Sequence, residues 1–166
     1  MKMTFSTRQK KTIKIARKEF YRLMKRIVEL ANLNLGENEI ISISFVGPRT
    51  IKRINKQFVN HTGLTDVISF DYRDEYVLQN NDTAIELIIC PNMAILEAST
   101  RKNSSFAHEM VLYLTHGILH VVGENDLMPE ERSRMRRKER ELIKKLQDEF
   151  SFGSIFQRYN SGQVEL

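Results

Sequence analysis

Apolar side chains recur at helical spacing early in the chain. Between Lys14 and Leu33 they fall at Phe20, Leu23, Met24, Ile27, Leu30 and Ala31, with Arg17, Lys18, Arg22, Lys25 and Arg26 between them. Such a stripe predicts an amphipathic helix, which Asn32, Asn34 and Gly36 end. The period then shortens. Ile40 to Val46 alternates apolar and polar residues and reads as a strand, followed by a turn at Gly47-Pro48. Arg49 to Phe58 carries Ile51, Ile54 and Phe58 at spacings of three and four, the mark of a short helix. Asn60 to Leu64 reads as a loop, Thr65 to Phe70 as a second strand, and Tyr72 to Asp82 as a hairpin or exposed connection. Ala84 to Cys90 is a third strand, stopped by Pro91, and Met93 to Ser99 turns helical again. Ser104 or Ser105 can cap a long apolar helix from Phe106 to about Val122, which Gly123 closes. A last helix starts at Pro129 and runs to about Phe150, with Met135, Leu142, Ile143 and Leu146 on one face.

The simplest way to bury these faces is an α+β fold: a small mixed β-sheet of three to four strands packed with helices. At 166 residues the chain suits one domain, read here as residues 1–150. Residues 151–166 read as a polar C-terminal tail with scattered aromatics, loosely held.

Composition narrows the setting. Cys90 is the one cysteine, which excludes an internal disulfide framework and a cysteine zinc finger, and makes a reducing, cytoplasmic site the default. No stretch approaches the roughly 18 apolar residues of a membrane span, and Met1 to Lys14 lacks the apolar segment of a secretory signal. The net charge of +5 hides an uneven distribution. Residues 1–35 hold ten Lys/Arg against Glu19 and Glu29, whereas residues 60–128 hold Arg73, Arg101 and Lys102 against ten Asp/Glu. A solvated helix face would explain a basic segment by itself. A basic arm beside an acidic middle also suits a protein with a polyanion at its edge and a cation at its centre, both on one connected surface.

The chemistry concentrates in Thr115 to Asp126. His116 and His120 stand at i and i+4, which puts both rings on one helix face, one turn apart. Gly123 permits a sharp reversal, and Asp126 can swing back as a third ligand. Two imidazoles and a carboxylate leave a position open for water, as catalytic zinc sites require. The expectation is one divalent metal, Zn2+, at the C-terminal end of this helix, held by His116, His120 and Asp126, with His116 beside the reacting water. The spacing also fits a metzincin-like protease pattern with Asp126 in the last place. That chemistry needs Glu directly after the first His, and Gly117 stands there.

A second segment, Ile54-Asn55-Lys56-Gln57-Phe58, a loop, then Thr65-Asp66-Val67-Ile68-Ser69-Phe70, precedes an apolar strand and the helix of His116 and His120. In this order the motifs resemble those of the YbeY family, bacterial single-strand-specific endoribonucleases that mature ribosomal RNA. The resemblance covers about residues 38–145, with Glu109, Met135 and Glu139 at positions where the family shows Glu, Met and Glu. It implies metal-dependent hydrolysis of single-stranded RNA, with ribosomal RNA or the ribosome as partner, and a role in ribosome quality control. Arg53 or Lys56 would meet the charge of the transition state, and Asp66 or Ser69 would line the cleft near the metal. The chain departs from the family in four places, one of them Glu86-Leu87 where the family's third strand shows Gly-Asp. Asp126 replaces the third ligand His, Glu124-Asn125 replaces Tyr-Asp, and Val59 replaces an Arg thought to serve the RNA chemistry, a loss for which His61 is the nearest substitute. Two other readings remain beside the nuclease: a non-catalytic RNA- or ribosome-binding protein with a structural metal, and the metzincin-like metalloprotease. The oligomeric state is left open.

Overall fold

The computed structural model describes residues 2–7, 12–37, 39–59, 62–73 and 82–159. Strand β1 (Lys2–Thr7) lies beside β3 (Ile40–Phe45), β3 beside β5 (Thr83–Ile89), and β5 beside β4 (Val67–Asp71). The first two pairings are parallel and the third antiparallel, so the sheet is mixed, as expected, with four strands. Alternation buries one face of β3, leaving Ile40, Ser42 and Ser44 half-buried on the other, while β5 is buried on both faces. Ile41, Ile43, Phe45, Ile85, Leu87 and Ile89 join the larger core, whereas Ile88 and Ile68 join a smaller one with Ile51 and Cys90.

Helix α1 (Arg17–Leu30) buries Phe20, Leu23, Met24, Ile27 and Val28, the stripe read from its spacing. Helices α2 (Pro48–Ile54) and α3 (Pro91–Thr100) both open on proline, where the missing N–H goes unneeded. A π-helical turn, Asn55–Val59, continues α2 to near the expected end. Helix α4 (Phe106–Val121) packs against β4, α3 and α5 (Pro129–Glu149). Nearly all of its length is buried, in keeping with an apolar sequence all round.

Two expectations need correction. The first strand was not foreseen: β1 is an edge strand of alternating exposed and half-buried residues, with only Met3 and Phe5 packed on the core. The segment after residue 150 is not loose over its described part. Helix α6 (Phe152–Ile155) and strand β6 (Phe156–Arg158) follow α5 directly, and β6 pairs antiparallel with β2 (Ile13–Ile15). The cause is aromatic. Phe156 is 2% exposed, its ring centroid 5.7 Å from that of Phe20 and 6.5 Å from that of Phe45. Edge-to-face pairs of this kind contribute about 0.5–1.5 kcal/mol each beyond their buried area. Residues 160–166 and most of the expected connection between Tyr72 and Asp82 lie outside the described residues.

Candidate metal centre

Helix α4 is held at both ends by its own sequence. At its start the Ser105 side chain accepts from the His108 backbone N–H at 3.2 Å. One turn in, Glu109 is 1% exposed and is satisfied by the Ser104 hydroxyl at 2.5 Å and the Arg101 guanidinium at 3.1 Å. At its end Gly123 takes φ +91°, with Glu124 N–H donating to Leu119 O and Gly123 N–H to His120 O, both at 3.0 Å. This left-handed closure reverses the chain at no Cβ penalty. The turn is then tied to α5, because the Glu124 carboxylate takes Arg134 Nε at 3.0 Å and also Lys138 Nζ. Those two cations hold the Glu124 carboxyl below its ordinary value.

Gly117 explains how closely α4 approaches the sheet. A Cβ there would stand 3.0 Å from Ser69 Oγ, 3.1 Å from Leu87 Cδ2 and 3.2 Å from Val67 Cγ2. The Ser69 hydroxyl also donates to Gly117 O at 3.1 Å. Position 117 therefore faces the sheet. A glutamate there would be driven into the core, so the protease's general base has no room at this helix position.

The three candidate ligands come together. One ligand atom from each of His116, His120 and Asp126 lies within 4.8 Å of the others. His116 Nε2 is 2.9 Å from His120 Nε2, and Asp126 oxygens are 3.8 Å and 3.9 Å from the two rings. Ligand atoms at tetrahedral corners about 2.0–2.1 Å from an ion stand roughly 3.3 Å apart. The observed spacings bracket that value, so the residues fit a small divalent ion. His116 Nδ1 donates to Glu139 Oε1 of α5 at 2.6 Å, which fixes the tautomer and leaves Nε2 facing its partners. Burial opposes charge on His116, but the Glu139 hydrogen bond and the charges of Asp66, Glu139 and Asp126 outweigh it, and the ring's pKa is raised. His120 is shifted the other way, by burial first and by repulsion from His116 second.

Two grooves open on this pair. One, of about 610 Å3, includes Asp66 and His116, and the other, of about 550 Å3, includes Asn55, Ser69 and His120. Asp66 therefore lies beside the centre, and it also fixes the start of β4 by accepting from Val67 N–H at 2.8 Å and the Thr65 hydroxyl at 3.1 Å. Arg53 and Lys56 are exposed on α2 and the π-helical turn and line neither groove. His61 lies outside the described residues. Sequence reasoning missed the role of α5. Glu139 was marked only by family likeness, and the Glu124 bracket had no local signal, since its partners are 10 and 14 residues away.

The defining pattern of one family, described as endoribonuclease YbeY, matches residues 4–147. A protein named endoribonuclease YbeY from Finegoldia magna is 33% identical over 121 residues, 73% of this chain and 77% of its own length. One of the same name from Syntrophus aciditrophicus is 31% identical over 147 residues, 86% of this chain and 89% of its own. The solution structure of TM1509 from Thermotoga maritima shares the fold, with a TM-score of 0.56 at 22% identity over 89% of this chain and 90% of that one.

Proposed function

This chain belongs to the YbeY family of endoribonucleases, and on that premise we propose that it is a metal-dependent, single-strand-specific endoribonuclease acting in ribosomal RNA maturation and ribosome quality control. The observation that carries the reading is the cluster of His116, His120 and Asp126 at the closed end of α4, with grooves on both sides. These three residues would hold the ion, with Asp126 as third ligand in place of the family's His. Two imidazoles and a carboxylate suit zinc. When bound, such an ion supplies Lewis acidity toward a phosphate oxygen and makes water acidic enough to attack at neutral pH.

The protein's own groups do the rest. Glu139 holds His116 in the tautomer whose Nε2 lone pair faces the site. The Gly123 turn and the bracket of Glu124 with Arg134 and Lys138 carry Asp126 back to the helix end. Asp66, beside His116, can accept a proton or orient the substrate. Among the described residues no helix is long and apolar enough to cross a membrane. A lone, buried cysteine suits the reducing, cytoplasmic setting of this reading.

The test joins metal analysis of the purified protein to cleavage of a labelled single-stranded RNA, with His116→Ala as control. One tightly held equivalent and cleavage that both disappear in the variant support the reading. A second reading, an RNA-binding protein with a structural metal, is favoured by Val59 at the family's Arg position. It predicts bound metal and bound RNA without cleavage.

A further inference from the structure

The cations of α5 meet two kinds of surroundings. Arg134 and Lys138 close on Glu124, and Arg26 of α1 pairs with Glu149 near the end of α5. Arg136, Arg140 and Lys144 are exposed and have no acidic partner among the described residues. They stand at i, i+4 and i+8, a single stripe about 12 Å long. Like charges at that spacing weaken a helix slightly, and a bound anion would relieve them.

The stripe lines the groove that includes His116. Helices α4 and α5 bound this groove and are joined across it at two levels, His116 with Glu139 at 2.6 Å and His108 with Gln147 at 3.4 Å. The hydroxyl of Tyr113, a residue on the same wall, is buried and has no hydrogen-bond partner, and a buried polar group of this kind calls for one. Leu112 and Ile143 give the groove an apolar floor, but the large exposed apolar residues Phe58, Leu64, Leu127 and Met128 all lie off it, and its α5 rim is charged. A regular line of unanswered cations in a trough fits a regular line of phosphates. The basic arm of α1 fits less well. Arg22 pairs with Glu19 at 2.8 Å, Arg17 lies over the Phe5 ring, and neither residue lines a groove at the centre.

Building on the RNA-cleaving reading above, we propose that the α4–α5 groove is the track along which the phosphate backbone of single-stranded RNA reaches His116, with Arg136, Arg140 and Lys144 as its phosphate contacts. Binding on this track is electrostatic and indifferent to sequence, and it does not need the ion.

The experiment measures binding of a fluorescein-labelled oligouridylate by anisotropy across a salt series in EDTA, with cleavage followed separately in added zinc. The proteins are the parent, the triple variant Arg136→Gln/Arg140→Gln/Lys144→Gln, the charge-keeping variant Arg136→Lys/Arg140→Lys/Lys144→Arg, and Arg17→Gln/Lys18→Gln/Arg22→Gln on α1. Three lost phosphate contacts on a single strand should flatten the log–log salt slope by about 2 and weaken binding by about tenfold to a hundredfold at 0.1 M salt. The charge-keeping variant should bind as the parent does, and the α1 variant should lose much less. Unchanged affinity and slope in the Gln stripe variant, with a parent that binds and cleaves, overturns the track alone. So does an equal loss in the α1 variant. A parent that holds zinc but binds no oligonucleotide overturns the track and the RNA reading together. Equal affinity of the stripe for a polyglutamate peptide overturns it in favour of an acidic protein partner.

Discussion

Replacing Gly117 by alanine separates what the helix wants from what the sheet allows. In a helix interior alanine is better than glycine by about 1 kcal/mol. Against this, the new Cβ would stand 3.0–3.2 Å from Ser69 Oγ, Leu87 Cδ2 and Val67 Cγ2, closer than ordinary van der Waals contact. Overpacking of this kind costs about 1–3 kcal/mol. The Ser69 hydroxyl must also turn away from Gly117 O, losing a bond worth roughly 1 kcal/mol. The balance is a loss of about 1–3 kcal/mol, read in urea unfolding as a lower midpoint at unchanged slope. In a Ser69→Ala background the nearest atom is gone and its hydrogen bond already lost, so the penalty for Gly117→Ala should shrink by about 1 kcal/mol. Metal affinity should hardly change, because the candidate ligands and Glu139 ride on α4, its closing turn and α5. A variant more stable than the parent would refute the tight approach of α4 to the sheet. An equal penalty in both backgrounds would show that Ser69 is not what the methyl group meets.

Asp126→Ala should lose the ion on dialysis, whereas Asp126→His should keep it; an alanine variant with one tightly bound equivalent would make Asp126 a turn residue only. Because the pKa of His116 is raised above 6.5 in the metal-free protein, protons compete for its ring already above that pH. Zinc affinity, followed by chelator competition, should therefore start to fall as the pH drops through neutrality, and a flat profile down to pH 6.5 would contradict this. Glu124 has a lowered folded pKa, so its contribution to stability is present above its ordinary value of 4.5 and is lost as the pH falls through the lower folded value. The stability difference between the parent and Glu124→Gln should be largest near neutral pH and narrow as the pH falls below 4.5; a constant difference would mean the Glu124 bracket carries no charge effect.

The sequence showed what is local. Helices α1, α4 and α5 and strands β3 and β5 each carry a full period of apolar residues, and their observed bounds lie within a few residues of those expected. The pair His116 and His120 needs only helical spacing, and Asp126 needs only the Gly123 reversal, so the candidate centre was legible before any packing was known. What was hidden depends on partners far along the chain. Strand β1 has few apolar residues and exists because β3 offers it an edge. Strands β2 and β6, three residues each, form only because they meet across most of the chain. The charge pattern was half informative. It marked α1 as basic but could not show that Arg22 and Arg26 are answered inside the protein while Arg136, Arg140 and Lys144 are not.

The place of Phe156 in the aromatic core bears on when the protein can fold during its synthesis. Phe20 and Phe45 are made early, but the ring that packs against both is made 136 residues after Phe20. At translation rates of about 5–20 residues per second, the growing chain waits about 7–27 s with that side of its core uncovered. Helices and the β3–β5 pairing can form meanwhile, yet the β2–β6 ribbon has no second strand until residues 156–158 are made. Closure of the core is thus a late event in the life of each nascent chain, and a ribosome stalled before residue 156 holds a protein with its apolar interior still open.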